Sequence, residues 1–263
     1  MEGSVTNDCV SFRSEGGIAR VVLNRPAQLN AISPELLRDL AEVCDAIERD
    51  LTLKVVLLTG AGRAFCAGAD LKAVQTIAPD PAKWRAFMEL WLRVFKRLES
   101  LPQVVIAGVH GMALAGGLEL VLTCDLVVAD EEAKLGDQHA NFGLVAGGGG
   151  SQRLPRAVGA RRAKELMLLG HWLSAREAFE WGLVNRVAAV GQLQTTLDEL
   201  AGQLVTKSAS ANRAVKRLVN RALDVDLMSG LEFEAAEVAV HMRSPDTSEG
   251  LRAFLEKRKP QFR

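Results

Sequence analysis

An α/β fold with a largely parallel, buried sheet and a helical C-terminal region is what this sequence predicts. Three observations carry that expectation. Short apolar runs alternate with helix-period segments over the first two-thirds of the chain. Those runs show little polar alternation, as expected of strands covered on both faces. From Gly159 onward the pattern becomes helical, with a soft boundary between core and helical tail near residues 190–200.

The elements follow in order. The first segment alternates short strands and turns, with a β-branched strand over 18–23 that ends at Asn24-Arg25-Pro26. Ser33-Pro34 opens a helix, serine as N-cap and proline at the first helical position, and Leu36, Leu37, Leu40, Val43 and Ile47 keep helical spacing behind it. A buried-type strand covers 54–59 before the turn Gly60-Ala61-Gly62. A helix spans 81–101, and a second apolar strand, 104–109, runs into Gly111. Gly116-Gly117 opens a helix over 118–122, followed by a strand at 126–129. Strands separated by helices imply right-handed crossovers. Ser174-Ala175-Arg176-Glu177 is a capping box. Periodic apolar stretches recur at 192–206, 210–223, 227–241 and 247–258, so the expected division is a core of residues 1–195 and a helical region of residues 196–263 used for packing and oligomerisation.

Composition narrows the function classes. The 263 residues are 48% apolar, ample for a sizeable interior, and the formal net charge is zero. Neither a nucleic acid nor an anionic membrane is expected as partner. Cys9, Cys44, Cys66 and Cys124 form no C-x-x-C pair and read as reduced thiols. The four histidines lack ligand spacing, so no metal site is expected. The opening Met1-Glu2-Gly3-Ser4 lacks a basic region followed by an apolar run, and no stretch reaches a membrane span. A soluble cytoplasmic protein is the expectation.

Several motifs are decoys. After the strand at 54–59, the third glycine of a dinucleotide fingerprint would fall on Phe65, and no acidic residue follows at the required distance. The run Gly147-Gly148-Gly149-Gly150 is no phosphate loop, because Ser151-Gln152-Arg153 stands where Gly-Lys-Ser/Thr is needed. A G-x-S-x-G elbow fails because Arg153 takes the last glycine's place.

Three segments belong together. They are Ala64-Phe65-Cys66-Ala67-Gly68-Ala69-Asp70-Leu71, then residues 109–120 with Gly116-Gly117-Leu118-Glu119, then Leu135-Gly136-Asp137 through Gly147 to Leu154. In order and spacing the set resembles the crotonase (enoyl-CoA hydratase/isomerase) superfamily, over nearly the whole chain. That resemblance implies a spiral of β-β-α units with a helical C-terminal region, and homotrimers that pair into hexamers. It also implies an acyl-coenzyme A substrate, with coenzyme A entering as part of that substrate and no separate cofactor.

The chemistry behind those motifs can be stated physically. Reaction beside a thioester carbonyl passes through an enolate whose oxygen carries charge. Two backbone N–H groups aimed at it stabilise it, each worth about 3 kcal/mol. The resemblance assigns these donors to Ala69 and Gly116; the plainer alternative is that the glycines only make tight turns. Glu119 lies on the apolar stretch 118–121, where a carboxylate is either paired structurally or tuned for proton transfer. By resemblance it is the glutamate that activates water.

Typical hydratases carry a second glutamate where this chain has His139. A histidine there can transfer a proton near neutral pH or bind substrate, with Asp137 and Asn141 as candidates to orient it. Cys66, without a flanking base, reads as a packing residue. The resemblance sets adenine and pantetheine against the turn at 24–28 and the backbone of Ala67 and Gly68. Arg25 becomes a phosphate contact and the Gly147 N–H a holder of water. Phe254 and Lys257 would reach a neighbouring subunit's coenzyme A, though Lys257 also reads as a solvated helix end.

The expected reaction is hydration of a 2-enoyl-CoA to a 3-hydroxyacyl-CoA. The stretch His139-Ala140-Asn141 resembles hydratases acting on branched glutaconyl thioesters such as isohexenylglutaconyl-CoA. The alternatives are another crotonase-type reaction (isomerase, decarboxylase or C–C hydrolase) and a non-catalytic scaffold subunit.

Overall fold

The structure, a computed structural model, describes residues 4–262; Met1-Glu2-Gly3, part of the segment behind the expectation of no signal peptide, lies outside them. The described strands are β1 (Ser4–Thr6), β2 (Val10–Glu15), β3 (Ile18–Leu23), β4 (Val55–Gly60), β5 (Val104–Val109), β6 (Met112–Leu114), β7 (Leu126–Asp130), β8 (Lys134–Gly136), β9 (Trp172–Ser174) and β10 (Arg186–Ala188). Seven form one sheet in the order β1-β2-β3-β4-β5-β7-β10, and β6-β8-β9 form a smaller one. From β3 to β10 the large sheet is parallel. Its first two pairings are antiparallel, because β2 and β3 are joined by the two-residue turn Gly16-Gly17 with both φ positive (58° and 81°).

Helices α1 (Pro34–Arg49), α2 (Leu71–Ile77) and α3 (Pro81–Ser100) precede the short α4 (Gly116–Val121). Then come α5 (Gly150–Val158), α6 (Ala160–Leu169), α7 (Ala175–Glu180), α8 (Leu193–Val205), α9 (Ala209–Arg221), α10 (Leu227–His241) and α11 (Pro245–Leu255). The expected caps are present. Ser33 accepts from the Leu36 amide, and Ser174 with Glu177 closes the capping box.

The turns of the chain stack as a spiral. Each delivers a strand to the large sheet, then a short extended segment, then a helix. The short segments pair in sequence: Ile32 with Ala69, Cys66 with Ala113, Ala113 with Leu135, and Leu135 with Leu173. The expected β-β-α spiral is therefore the observed architecture.

Strand β4 shows why the central strands lack polar alternation. Val56 and Leu58 enter the core with Leu36, Leu37, Leu40 and Phe95, while Val55 and Leu57 enter a second core with Leu197, Leu200 and Ala201. Both faces are covered. The expected boundary at residue 195 falls inside α8, whose buried side covers the second face. Helix α9 is tied down by Lys216, whose Nζ lies 2.7 Å from Asp125 Oδ2 and donates to the Gln103 carbonyl at 2.9 Å. By contrast, α10 buries none of its residues, and Leu227, Met228 and Val240 are exposed. Among the described residues, no helix is long and apolar enough to cross a membrane.

Removing one member of a buried ion pair strands the other charge. Lys216→Met should therefore lower the unfolding free energy by about 3 kcal/mol in urea denaturation. The double variant with Asp125→Leu should recover part of that loss.

Candidate active site

The two expected donors are built by different devices. In the Ile32–Ala69 pairing, Ile32 N–H donates to the Gly68 carbonyl at 2.8 Å and Asp70 N–H donates to the Ile32 carbonyl at 2.9 Å. A parallel bridge of this kind leaves the Ala69 N–H on the opposite edge, where it has no acceptor among the described residues. Gly116 is the first residue of α4, so its N–H has no partner within the helix. The preceding Ala115 has φ 49°, a left-handed conformation uncommon for a residue with a Cβ, and its amide is anchored on the Gly136 carbonyl at 2.9 Å.

Close packing brings the donors together. A Cβ added to Gly68 (φ 110°) would stand 3.5 Å from the Gly116 nitrogen. One added to Gly117 would stand 2.1 Å from the Cys66 carbonyl oxygen, so only glycine allows α4 to start where it does. Cys66 is fully buried; burial pushes its thiol up to about 12, as suits the packing residue expected there.

Glu119, one turn into α4, is 2% exposed. Its Oε1 accepts from the Gly150 N–H at 2.8 Å. Burial raises its pKa above the ordinary carboxyl value, against the lowering influence of the Gly150 amide, His139 and the Gly148 amide.

His139 begins a single 3-10 turn (His139–Phe142). Its Nδ1 lies 2.9 Å from Asp137 Oδ1, the oxygen that also accepts its backbone N–H at 3.0 Å. Burial by itself would lower the imidazole pKa. The hydrogen bond and charge of Asp137, with the charge of Glu119, outweigh it and raise the value above 6.5. Asp137 thus orients the ring. Asn141 does not: its Nδ2 donates to Gln138 Oε1 and to the Gly170 carbonyl.

The other expected site residues divide. Ala67 N–H donates to the Leu29 carbonyl at 3.0 Å, which sets the turn at 24–28 against it. The Gly147 amide has no acceptor among the described residues, and a Cβ on it would meet Met88 Cε at 2.8 Å. Arg25 is committed within the fold. Its Nη2 pairs with Asp70 at 2.8 Å and its Nη1 donates to the Ala31 carbonyl, so a phosphate would have to share it. Phe254 is 81% exposed near the end of α11, Lys257 lies beyond that helix, and no contact within the protomer joins either to Glu119 or His139 among the described residues.

Sequence reasoning missed Trp91, Gly148 and Gly150. The Trp91 ring covers Gly116, on which a Cβ would lie 2.7 Å from Cζ2. Gly148 and Gly150 let the loop approach Glu119, since a Cβ on Gly148 would stand 2.6 Å from Oε2. The glycine run rejected as a phosphate loop was the available signal; its role is to admit a carboxylate.

The family model for enoyl-CoA hydratase/isomerase matches residues 13–263. The chain belongs to that family. Members of the crotonase superfamily share its fold, and it is an enzyme of the hydratase/lyase class. The chain is 40% identical to a putative enoyl-CoA hydratase/isomerase of Bacillus subtilis, with 94% of each covered. It is 37% identical to the short-chain-enoyl-CoA hydratase of Clostridium acetobutylicum over 95% of both. A crystal structure of an enoyl-CoA hydratase from Bacillus anthracis superposes with TM-score 0.91 at 37% identity, covering 97% of this chain and 98% of that one.

The steric role of Gly117 is testable. Gly117→Ala should cost about 1–3 kcal/mol of stability by overpacking. Gly202→Ala, at an exposed position of α8 where a Cβ meets nothing within 4 Å, should be neutral or stabilising in the same urea titration.

Proposed function

We propose that the protein hydrates a 2-enoyl-CoA to a 3-hydroxyacyl-CoA. The reading is carried above all by the juxtaposition of two acceptor-free amides, Ala69 and Gly116, with a buried glutamate one helical turn beyond the second.

In this mechanism the thioester oxygen lies between the two amides. Glu119 takes a proton from water as the oxygen adds to C3. The electrons of the C2–C3 double bond move onto the thioester oxygen, whose developing negative charge the two N–H groups and the start of α4 stabilise. The enolate then collapses as C2 takes a proton from His139. Asp137 holds Nδ1–H, so the protonated ring delivers from Nε2. Regeneration returns the proton of Glu119 to His139 through solvent or by direct transfer. Against a scaffold role stands the expense of keeping a buried, acidic side chain where an apolar one would pack. The exposed apolar residues of α10 offer the assembly surface that the family resemblance implies, and assembly would supply the subunit contact expected of Phe254 and Lys257.

Glu119→Gln should reduce crotonyl-CoA hydration at least about 100-fold while leaving coenzyme A affinity near normal, because shape is kept and the proton acceptor lost. Turnover within a factor of a few of the parent would assign Glu119 a structural role.

The pH profile should be bell-shaped. Activity requires ionised Glu119, whose raised pKa places the acid limb above the ordinary carboxyl range. It also requires protonated His139, so activity falls as pH rises through a histidine pKa above 6.5. His139→Ala should remove the alkaline limb and cut turnover, and His139→Glu should restore part of it. An alanine variant with the parent profile and weaker substrate binding would make His139 a binding residue.

A further inference from the structure

Trp91, on α3, is 4% exposed, and its indole Nε1 has no hydrogen-bond partner among the described residues. An indole N–H can only donate, and interiors normally supply an acceptor for one. The ring is not free to turn toward solvent. It meets Phe87 edge-on at 5.5 Å and Phe95 at 5.7 Å, and its Cζ2 edge covers Gly116.

The ring's N–H side borders Gly148, next to Glu119. The point where a Cβ on Gly148 would stand is 2.5 Å from Trp91 Nε1 and 2.6 Å from Glu119 Oε2. The two polar atoms are therefore no more than about 5 Å apart, near enough for one oxygen to bridge them. Glu119 Oε1 is already engaged by the Gly150 amide, so Oε2 is the oxygen that pairs with the indole in such a bridge. A fixed donor and a fixed acceptor at that separation suit a group that both accepts and donates.

We infer that Trp91 is a further catalytic residue, whose indole N–H holds the oxygen that adds to C3: water on the enoyl side and the 3-hydroxyl on the product side. The inference rests on the hydration reading and deepens it. As the new C3–O bond forms, the water O–H bond breaks and that proton passes to Glu119 Oε2. The indole keeps its own proton throughout, donating its N–H to a lone pair of the same oxygen before and after. The contact therefore favours only reactions that place an oxygen at C3.

Two reactions on one protein test this. Exchange of the α-protons of butyryl-CoA with D2O uses the thioester-oxygen donors and the acid–base group at C2, with no oxygen at C3. Trp91→Phe keeps an aromatic ring and removes the N–H. It should lower kcat for crotonyl-CoA hydration about tenfold, leave KM within twofold, and leave butyryl-CoA exchange unchanged. Unchanged hydration overturns the inference, and so does a proportional fall in both reactions, which would make Trp91 a packing residue. Trp91→Met, likewise without an N–H, serves if the phenylalanine variant does not fold. Failure of the parent to hydrate crotonyl-CoA would defeat the hydration reading separately. Titration with 3-hydroxybutyryl-CoA and butyryl-CoA then judges Trp91 alone. A preference for the hydroxylated thioester that is lost in the variant supports the contact, and equal preference in both proteins overturns it.

Discussion

Backbone-to-backbone contact between the start of α4 and the loop at 66–69 is the constraint on which the site depends. With a Cβ excluded at Gly117 by the Cys66 carbonyl, the helix can begin directly against the loop that carries Ala69. The pairing of Cys66 with Ala113 fixes the approach angle, and the left-handed Ala115 turns the chain into the helix. One helical turn then presents an unsatisfied amide at its first residue and a carboxylate three residues later. Electrophilic and basic groups are placed by the same rigid element, so neither requires reorganisation when charge develops.

The acid–base pair of the proposed mechanism departs from two glutamates in a way that changes its electrostatics. Two carboxylates facing one substrate repel, and one is held protonated by the other. Glu119 and His139 attract in their charged forms. Burial opposes ionisation of both, but each favours the charged state of the other, with Asp137 adding to the histidine side.

Much of this was legible in the chain because it is local. Caps at Ser33 and Ser174, the apolar strands, the helix opening at Gly116 and the orienting role of Asp137 each depend on residues a few positions apart. What escaped is long-range. The three-residue strands β6, β8 and β9 exist through pairing with one another and are too short to show a period. The resemblance gave Arg25 to a phosphate, and its engagement within the fold was hidden because Asp70, its partner, is 45 residues away. Trp91 carried no signal of its own, since nothing nearby in sequence shows that its N–H lacks an acceptor. Asn141 was placed near His139 by proximity in sequence, yet its amide is drawn to the Gly170 carbonyl on another turn of the spiral.

The stacked turns carry a thermodynamic consequence. Ala69 and Gly116 sit on different turns of the spiral, joined by the β4–β5 pairing, the Cys66–Ala113 bridge, the Phe65 N–H to His110 carbonyl bond at 3.0 Å and the Gly117 contact. In the proposed mode of binding, a thioester oxygen held by both amides would be a cross-brace between those turns, present only when the whole stack is assembled. Occupancy and global folding are then linked equilibria, and a substrate well above its dissociation constant holds the spiral closed by mass action, about 2.7 kcal/mol at a hundredfold excess. The molecule is most rigid while it is working.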